Sequence, residues 1–253
     1  MKIFVNAAFG FSLVSSIMAV LLHIFKKPRL EFFLKSALIL AFCTLTAGMG
    51  LFWTATGRPP LATQYESLLC FTWCAYILTA FFYFSTKTPG MLTALATAAP
   101  LLLAGASLIS RDPVSLIPAL RSNWLLYHVV ACMAAYAAFA LAAILAAFTL
   151  LGHKEGLEPL MARLIKAGFV LLTAGIITGS VWADAAWGSY WSWDPKETWS
   201  FITWLFYAVI LHLRKSASWR GDMFAWAVLV GFTAVLFTYF GVNFLLTGLH
   251  SYA

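Results

Sequence analysis

Charge is what this sequence has least of. Of its 253 residues only 10% are Asp, Glu, Lys or Arg, and nine are acidic; soluble domains carry about 25% charged residues. With 62% hydrophobic residues and a mean hydropathy of +0.88, the chain cannot hide its apolar surface inside one water-facing core. An ordinary soluble domain is excluded, and lipid is the solvent for most of the chain. The formal net charge of +7 would suit a polyanion. The basic residues, however, sit in short clusters between apolar runs, which is the pattern of membrane orientation, so no nucleic-acid partner is expected. Cysteine is scarce too. Cys43, Cys70, Cys74 and Cys132 all fall in apolar runs and none forms Cys-x-x-Cys. They read as small buried hydrophobes, although Cys70 and Cys74 share a helix face. There is no repeat, no low-complexity tract and no soluble domain. The first apolar run lacks a basic leader and a small-residue cleavage site, so no cleavable signal peptide is expected. Residues 1–253 read as a single membrane domain.

What is present is a series of apolar runs. A spanning helix needs about 20 such residues, and eight candidates lie near 3–25, 35–56, 66–85, 89–109, 123–151, 165–181, 195–213 and 223–247. Backbone in lipid must satisfy its own hydrogen bonds and the runs are too long for barrel strands. The expected class is therefore all-α, a polytopic integral membrane protein. Eleven of the 16 basic residues fall in odd-numbered loops: Lys26, Lys27, Arg29 and Lys35; Lys87; Lys154, Arg163 and Lys166; Arg214, Lys215 and Arg220. The positive-inside rule then puts both termini and the sixth loop on the non-cytoplasmic face. If the weakly marked third and fourth runs form a hairpin that fails to span, the parity of the later helices survives.

The sixth loop, 182–199, holds Trp182, Trp187, Tyr190, Trp191, Trp193 and Trp199. An interfacial belt uses one or two aromatics per helix end, so this density has another cause. Asp194, Pro195 and Glu197 form a helix-start signature. That structural task takes precedence over a catalytic one for both carboxylates. The patch suits a flat, apolar, partly charged ligand, because indoles give large contact area at small entropic cost. Haem is such a ligand, and its iron needs axial nitrogen donors. His128 lies one turn inside the fifth run, and His250 follows the eighth. By the charge rule both are level with the Trp loop. Each alone reads as a polar interface residue; together with the loop they read as a ligand pair. His212 and His23 match each other near the inner ends of their helices, and spacing alone favours plain headgroup-level residues there. His153, beside Lys154, reads as solvated.

The run Trp187-Gly-Ser-Tyr190-Trp191-Ser-Trp193-Asp194-Pro-Lys-Glu197 resembles the WWD signature of the haem-handling protein family. Pro-Lys-Glu-Thr-Trp199, Gly241-Val-Asn243, Gly248-Leu-His250-Ser-Tyr252 and Trp124-Leu-Leu-Tyr-His128 are similar to its CcsA/ResC branch, cytochrome c assembly system II. The resemblance is strong over 120–253, a haem-handling core, and weak before it. It implies haem b as transient ligand and substrate, held outside by His128 and His250 against Trp187, Tyr190, Trp191, Trp193 and Asp194. It also implies a membrane site at His212, whose second histidine comes from another subunit, with His23 a poorer substitute. The implied partners are a CcsB/ResB-type membrane subunit and apocytochrome c. The implied activity is that of a subunit of a cytochrome c synthase (haem lyase) complex rather than of an enzyme alone. The implied membrane is the bacterial inner membrane or the thylakoid. Arg58, Arg121 and Lys196 are candidate cations for the haem propionates. Three rival readings remain: a CcmC-like haem chaperone or exporter without attachment chemistry, a HemX-like regulator, and a small-molecule transporter. A transporter pore would want ionisable residues within its helices. Apart from the histidines the acidic candidate there is Glu66.

Overall fold

A computed structural model describes residues 1–109, 122–153 and 156–248. Among the described residues all regular elements are helical. They are α1 (Lys2–Phe25), α2 (Pro28–Thr56), α3 (Gln64–Thr86), α4 (Gly90–Ser107), α5 (Asn123–Leu150), α6 (Leu157–Trp187), α7 (Pro195–Leu213) and α8 (Asp222–Leu236). A 3-10 turn (Ala217–Trp219) precedes α8, and a π turn (Phe237–Gly241) carries α8 into the short α9 (Val242–Leu245). Among the described residues seven stretches are long and apolar enough to cross a bilayer: α1 to α6, and the run Asp222–Leu245. The expectation of a polytopic, all-helical membrane protein holds. The eighth expected span, α7, has 19 residues, roughly 28 Å at 1.5 Å each. Its first turn is Pro-Lys-Glu, which lowers its apolarity below that of the other seven.

Two helices start earlier than their apolar runs. α2 begins at Pro28 rather than near 35, and α6 occupies Leu157–Trp187 rather than 165–181. Charge keeps a turn out of hydrocarbon but not out of a helix. Glu31 and Lys35 pair at 2.7 Å on the first turns of α2. Glu158, in the first turn of α6, accepts from Arg214 at 3.2 Å and from the Gly221 amide at 3.0 Å. At 31 residues α6 is about 46 Å long and outruns a hydrocarbon core of roughly 30 Å.

The chain divides into two compact units, Met1–Val114 and Ser115–Ala253. In the first, α1 and α2 pack side by side, with Gly48 leaving room for the Phe4 side chain. Hydroxyls tie its helices together: the buried Ser12 and Tyr76 meet at 2.8 Å, and the half-buried Ser16 donates to the Ala96 carbonyl at 2.5 Å. Thr63 caps α3 through the Glu66 amide. The buried Glu66 carboxylate accepts from both Arg58 terminal nitrogens, at 2.7 and 2.8 Å, and from the Ala62 amide at 2.7 Å. Glu66 is therefore a bonded structural group.

In the second unit α5 and α6 form the most intimate pair. They run antiparallel in a fixed register. His128 lies opposite Gly179, Cys132 opposite Gly175 and Phe139 opposite Gly168. Each advance along α5 is matched by an equal retreat along α6, and each bulky side chain meets a residue without one. Close backbone approach through small residues is how helices associate where lipid removes the hydrophobic drive. α7 lies against α8. Trp199 meets Phe237 with ring centroids 4.1 Å apart, and the Thr203 and Thr238 hydroxyls are 2.8 Å apart.

Candidate functional site

The antiparallel pairing of α5 with α6 brings the start of α5 to the end of α6, and seven loop residues separate that end from α7. The non-helical part of the aromatic segment is thus only 188–194. Trp182 and Trp187 belong to α6, and Trp199 to α7. Gly188 stops α6 with φ 75°, a left-handed value that costs glycine nothing, and its amide donates to the Asp184 carbonyl at 2.8 Å. The signature at Asp194 forms as read. The Asp194 carboxylate accepts from the Lys196 amide at 3.0 Å, and Glu197 accepts from the amides of Asp194 (3.2 Å) and Ser192 (2.8 Å). Seven residues of loop are held by two carboxylates.

The aromatics of the loop and its flanks form two contact clusters, and two of the side chains project outward. Trp182 is 1% exposed and packs with Leu125, Val129 and Ala186; Trp187 stands edge-on to it at 4.7 Å. Trp191 meets Trp193 at 5.7 Å and Phe201 of α7 at 6.5 Å, each edge-on. Tyr190 and Trp193 project outward, 60% and 68% exposed. The Trp193 backbone sits at φ 58°, which is uncommon for a residue with a large side chain. The Thr198 hydroxyl holds it by donating to the Trp193 carbonyl at 3.2 Å. An outward indole on a constrained backbone is a contact surface prepared in advance.

His128 lies beneath this loop, between α5 and α6. Its ring stacks on Trp182, with centroids 6.1 Å apart and 13° between planes. Its Nδ1 is 2.7 Å from the Gly175 carbonyl oxygen. A carbonyl only accepts, so Nδ1 carries the hydrogen and neutral His128 keeps its lone pair on Nε2. Fixing one imidazole nitrogen by a backbone carbonyl so that the other can bind metal is the usual outer-shell arrangement of a ligating histidine. The residue types therefore fit an iron porphyrin. Cys132 Sγ lies 3.7 Å from the same Nδ1.

Late in the sequence, Gly248 packs directly on the Asp194 carboxylate and Pro195 at the end of this loop, and Lys196 Nζ donates to Asn243 at 2.8 Å. The segment after α9 thus returns to the loop. His250 lies outside the described residues, as does Arg121. Arg58 and Lys196 are engaged by Glu66 and Asn243. His212 is exposed in the last turn of α7, the end opposite the Trp loop; His23 and His153 are exposed as well. Among the described residues no group of three His, Cys, Asp or Glu side chains is placed to hold a metal ion, whereas an iron porphyrin requires only axial ligands. Residue patterns alone missed the roles of Trp182 and of Gly175 and Gly179. A signal was there: the glycines at 168, 175 and 179 lie on one face of α6, and Trp182 continues it one turn later.

The profile of the cytochrome C assembly protein family matches residues 61–250. The cytochrome c biogenesis protein CcsA of Guillardia theta is 36% identical, over 98% of this chain and 94% of its own length. That of Prochlorococcus marinus strain MIT 9312 is 37% identical, over 90% of this chain and 87% of its own. That of Chlamydomonas reinhardtii is 40% identical over 79% of this chain, and the match spans 62% of the Chlamydomonas protein. The solved cytochrome c haem lyase CcmF shares the fold, with a TM-score of 0.71 at 19% identity over 94% of this chain and 46% of that one. A polytopic helical framework, an indole-rich loop and a carbonyl-oriented histidine beneath it thus coincide with sequence kinship over most of the chain, and the protein belongs to the cytochrome c assembly family as a CcsA-type member, with a role in cytochrome c biogenesis.

Proposed function

We propose that this chain carries haem b to the non-cytoplasmic face of its membrane and presents it there for attachment to apocytochrome c, as one subunit of a cytochrome c synthase completed by a CcsB/ResB-type partner. The observation that carries the proposal is the imidazole of His128, fixed by the Gly175 carbonyl and stacked on Trp182 below the indole loop. His128 supplies one axial nitrogen to the iron and His250 the other; the return of Gly248 to Asp194 supports their pairing. Trp191, Trp193 and Tyr190 flank the porphyrin, while Trp187 braces Trp182. Asp194 holds the loop and does not meet the iron. His212, exposed at the far end of α7, takes haem earlier, together with a histidine of the partner. Residues 120–253 form the haem-handling core, and the loop and both termini face away from the cytoplasm in a bacterial inner or thylakoid membrane.

Haem is cargo here. Two axial imidazoles protect its iron from oxidants, and the fixed loop keeps its vinyl edge toward the apoprotein. The cysteine thiols of the Cys-x-x-Cys-His motif then add across the vinyls, each sulfur bonding to carbon while its proton ends on the neighbouring carbon. This chain contributes placement, which converts a bimolecular encounter into an oriented one.

The test is a complex purified with the partner subunit, carrying His128→Ala or His250→Ala. Each variant is expected to lose haem or its low-spin spectrum and to regain it with added imidazole. Unchanged haem content and spectrum in both would overturn the outer site. Thioether-linked cytochrome c formed by chain and partner alone is the expected readout of attachment; its absence would reduce the role to haem delivery.

A further inference from the structure

We propose that Gly175 and Gly179 of α6 are positioning residues for His128: the first orients its imidazole through a backbone carbonyl, and the second, by having no side chain, lets the ring reach that carbonyl. The proposal rests on His128 being a haem ligand and deepens that reading.

The observations are local and specific. The Gly175 carbonyl takes the Nδ1–H at 2.7 Å. It also faces the Thr178 hydroxyl at 3.2 Å, although that hydroxyl lies closer to the Ala174 carbonyl, at 2.8 Å. A Cβ placed on Gly179 would collide with Nδ1, Cε1 and Cγ of His128 together, so the conflict is with the ring face and not with the end of a flexible chain. Trp182, one turn further along α6, stacks on the same ring. The imidazole therefore sits in a slot with a carbonyl, an absent side chain and an indole as its walls. Rotation of the ring by 180° would place a C–H on the carbonyl. The slot thus selects Nε2 as the iron-binding atom and holds it in one direction. A hydrogen bond from Nδ1–H to a carbonyl also raises the donor strength of Nε2. Gly168 has no such relation to the ligand: a Cβ there would fall 2.5 Å from Cε1 of Phe139, deeper in the same helix pair. It provides the packing control.

The full chain with its partner subunit is purified with bound haem as Gly179→Ala and as Gly168→Ala. In Gly179→Ala the ring is expected to leave the carbonyl. The low-spin haem spectrum should give way to a high-spin one, and added imidazole should restore it. Gly168→Ala should keep the low-spin spectrum even if the complex melts earlier. A wild-type spectrum in Gly179→Ala, or the same spectral change in Gly168→Ala, overturns the proposal. If Gly179→Ala does not accumulate, the comparison moves to the His128→Ala background, where the clashing ring is gone. There, imidazole should need about tenfold higher concentration to restore the low-spin spectrum when Gly179→Ala is also present, the effect of one hydrogen bond lost from the added ligand. Equal concentrations in the two backgrounds overturn the proposal. An unchanged spectrum in His128→Ala itself would instead refute the ligand reading on which this one stands.

Discussion

Asp194 is where a structural role and a ligand role make opposite predictions. It stands inside the Trp-rich motif, yet its carboxylate caps α7 by accepting from the Lys196 amide at 3.0 Å, and its own amide is held by Glu197 at 3.2 Å. Asn caps a helix about as well as Asp, and replacing either by Ala costs about 1 kcal/mol. The negative charge near the helix N-terminus adds roughly 0.3–1 kcal/mol. Asp194→Asn should therefore lose only the charge contribution. Asp194→Ala should lose both, about 1.5 kcal/mol, which raises the open population of the loop on the order of tenfold. Hydrogen exchange of a peptide covering 188–200 reads that population directly. Haem content of the complex should follow the same order, with Asn near wild type and Ala below it. Should Asp194→Asn lose as much haem as Asp194→Ala while its amides stay protected, the carboxylate charge must act on the ligand and the capping argument is wrong.

Other substitutions test the framework. Trp182→Ala removes a fully buried indole that also backs His128; it should cost about 3–5 kcal/mol and lower the thermal midpoint of the detergent-solubilised protein. Arg58→Ala leaves the buried Glu66 carboxylate without its bidentate partner; about 3–5 kcal/mol is expected, and adding Glu66→Gln should recover much of the lost yield in membranes. Gly168→Ala forces a methyl against Phe139 and should destabilise by roughly 1–3 kcal/mol, read as faster proteolysis of the α5–α6 pair. Reporter fusions at residue 190 and at the C-terminus should report the same, non-cytoplasmic, side; opposite sides would end the two-histidine site.

The sequence alone determined the solvent, the helical class and the start of α7. Each follows from a local rule: about 20 apolar residues span a bilayer, backbone in lipid must bond to itself, and Asp-Pro-x-Glu opens a helix. It also carried the family, because the run from Trp187 to Glu197 is long and compositionally improbable. The first turns of α2 and α6 escaped that reading, since hydropathy marks the hydrocarbon boundary and not the end of a helix. Only the tertiary structure decided which indoles face inward. Trp182 and Trp193 are the same residue type eleven positions apart, yet one is buried under α5 and the other stands in the open. The difference is made by which helix packs across α6, a contact between residues some fifty positions apart. The partner of His128 Nδ1 was decided in the same way. No local rule joins position 128 to a carbonyl at 175; the antiparallel register of two small-residue faces does.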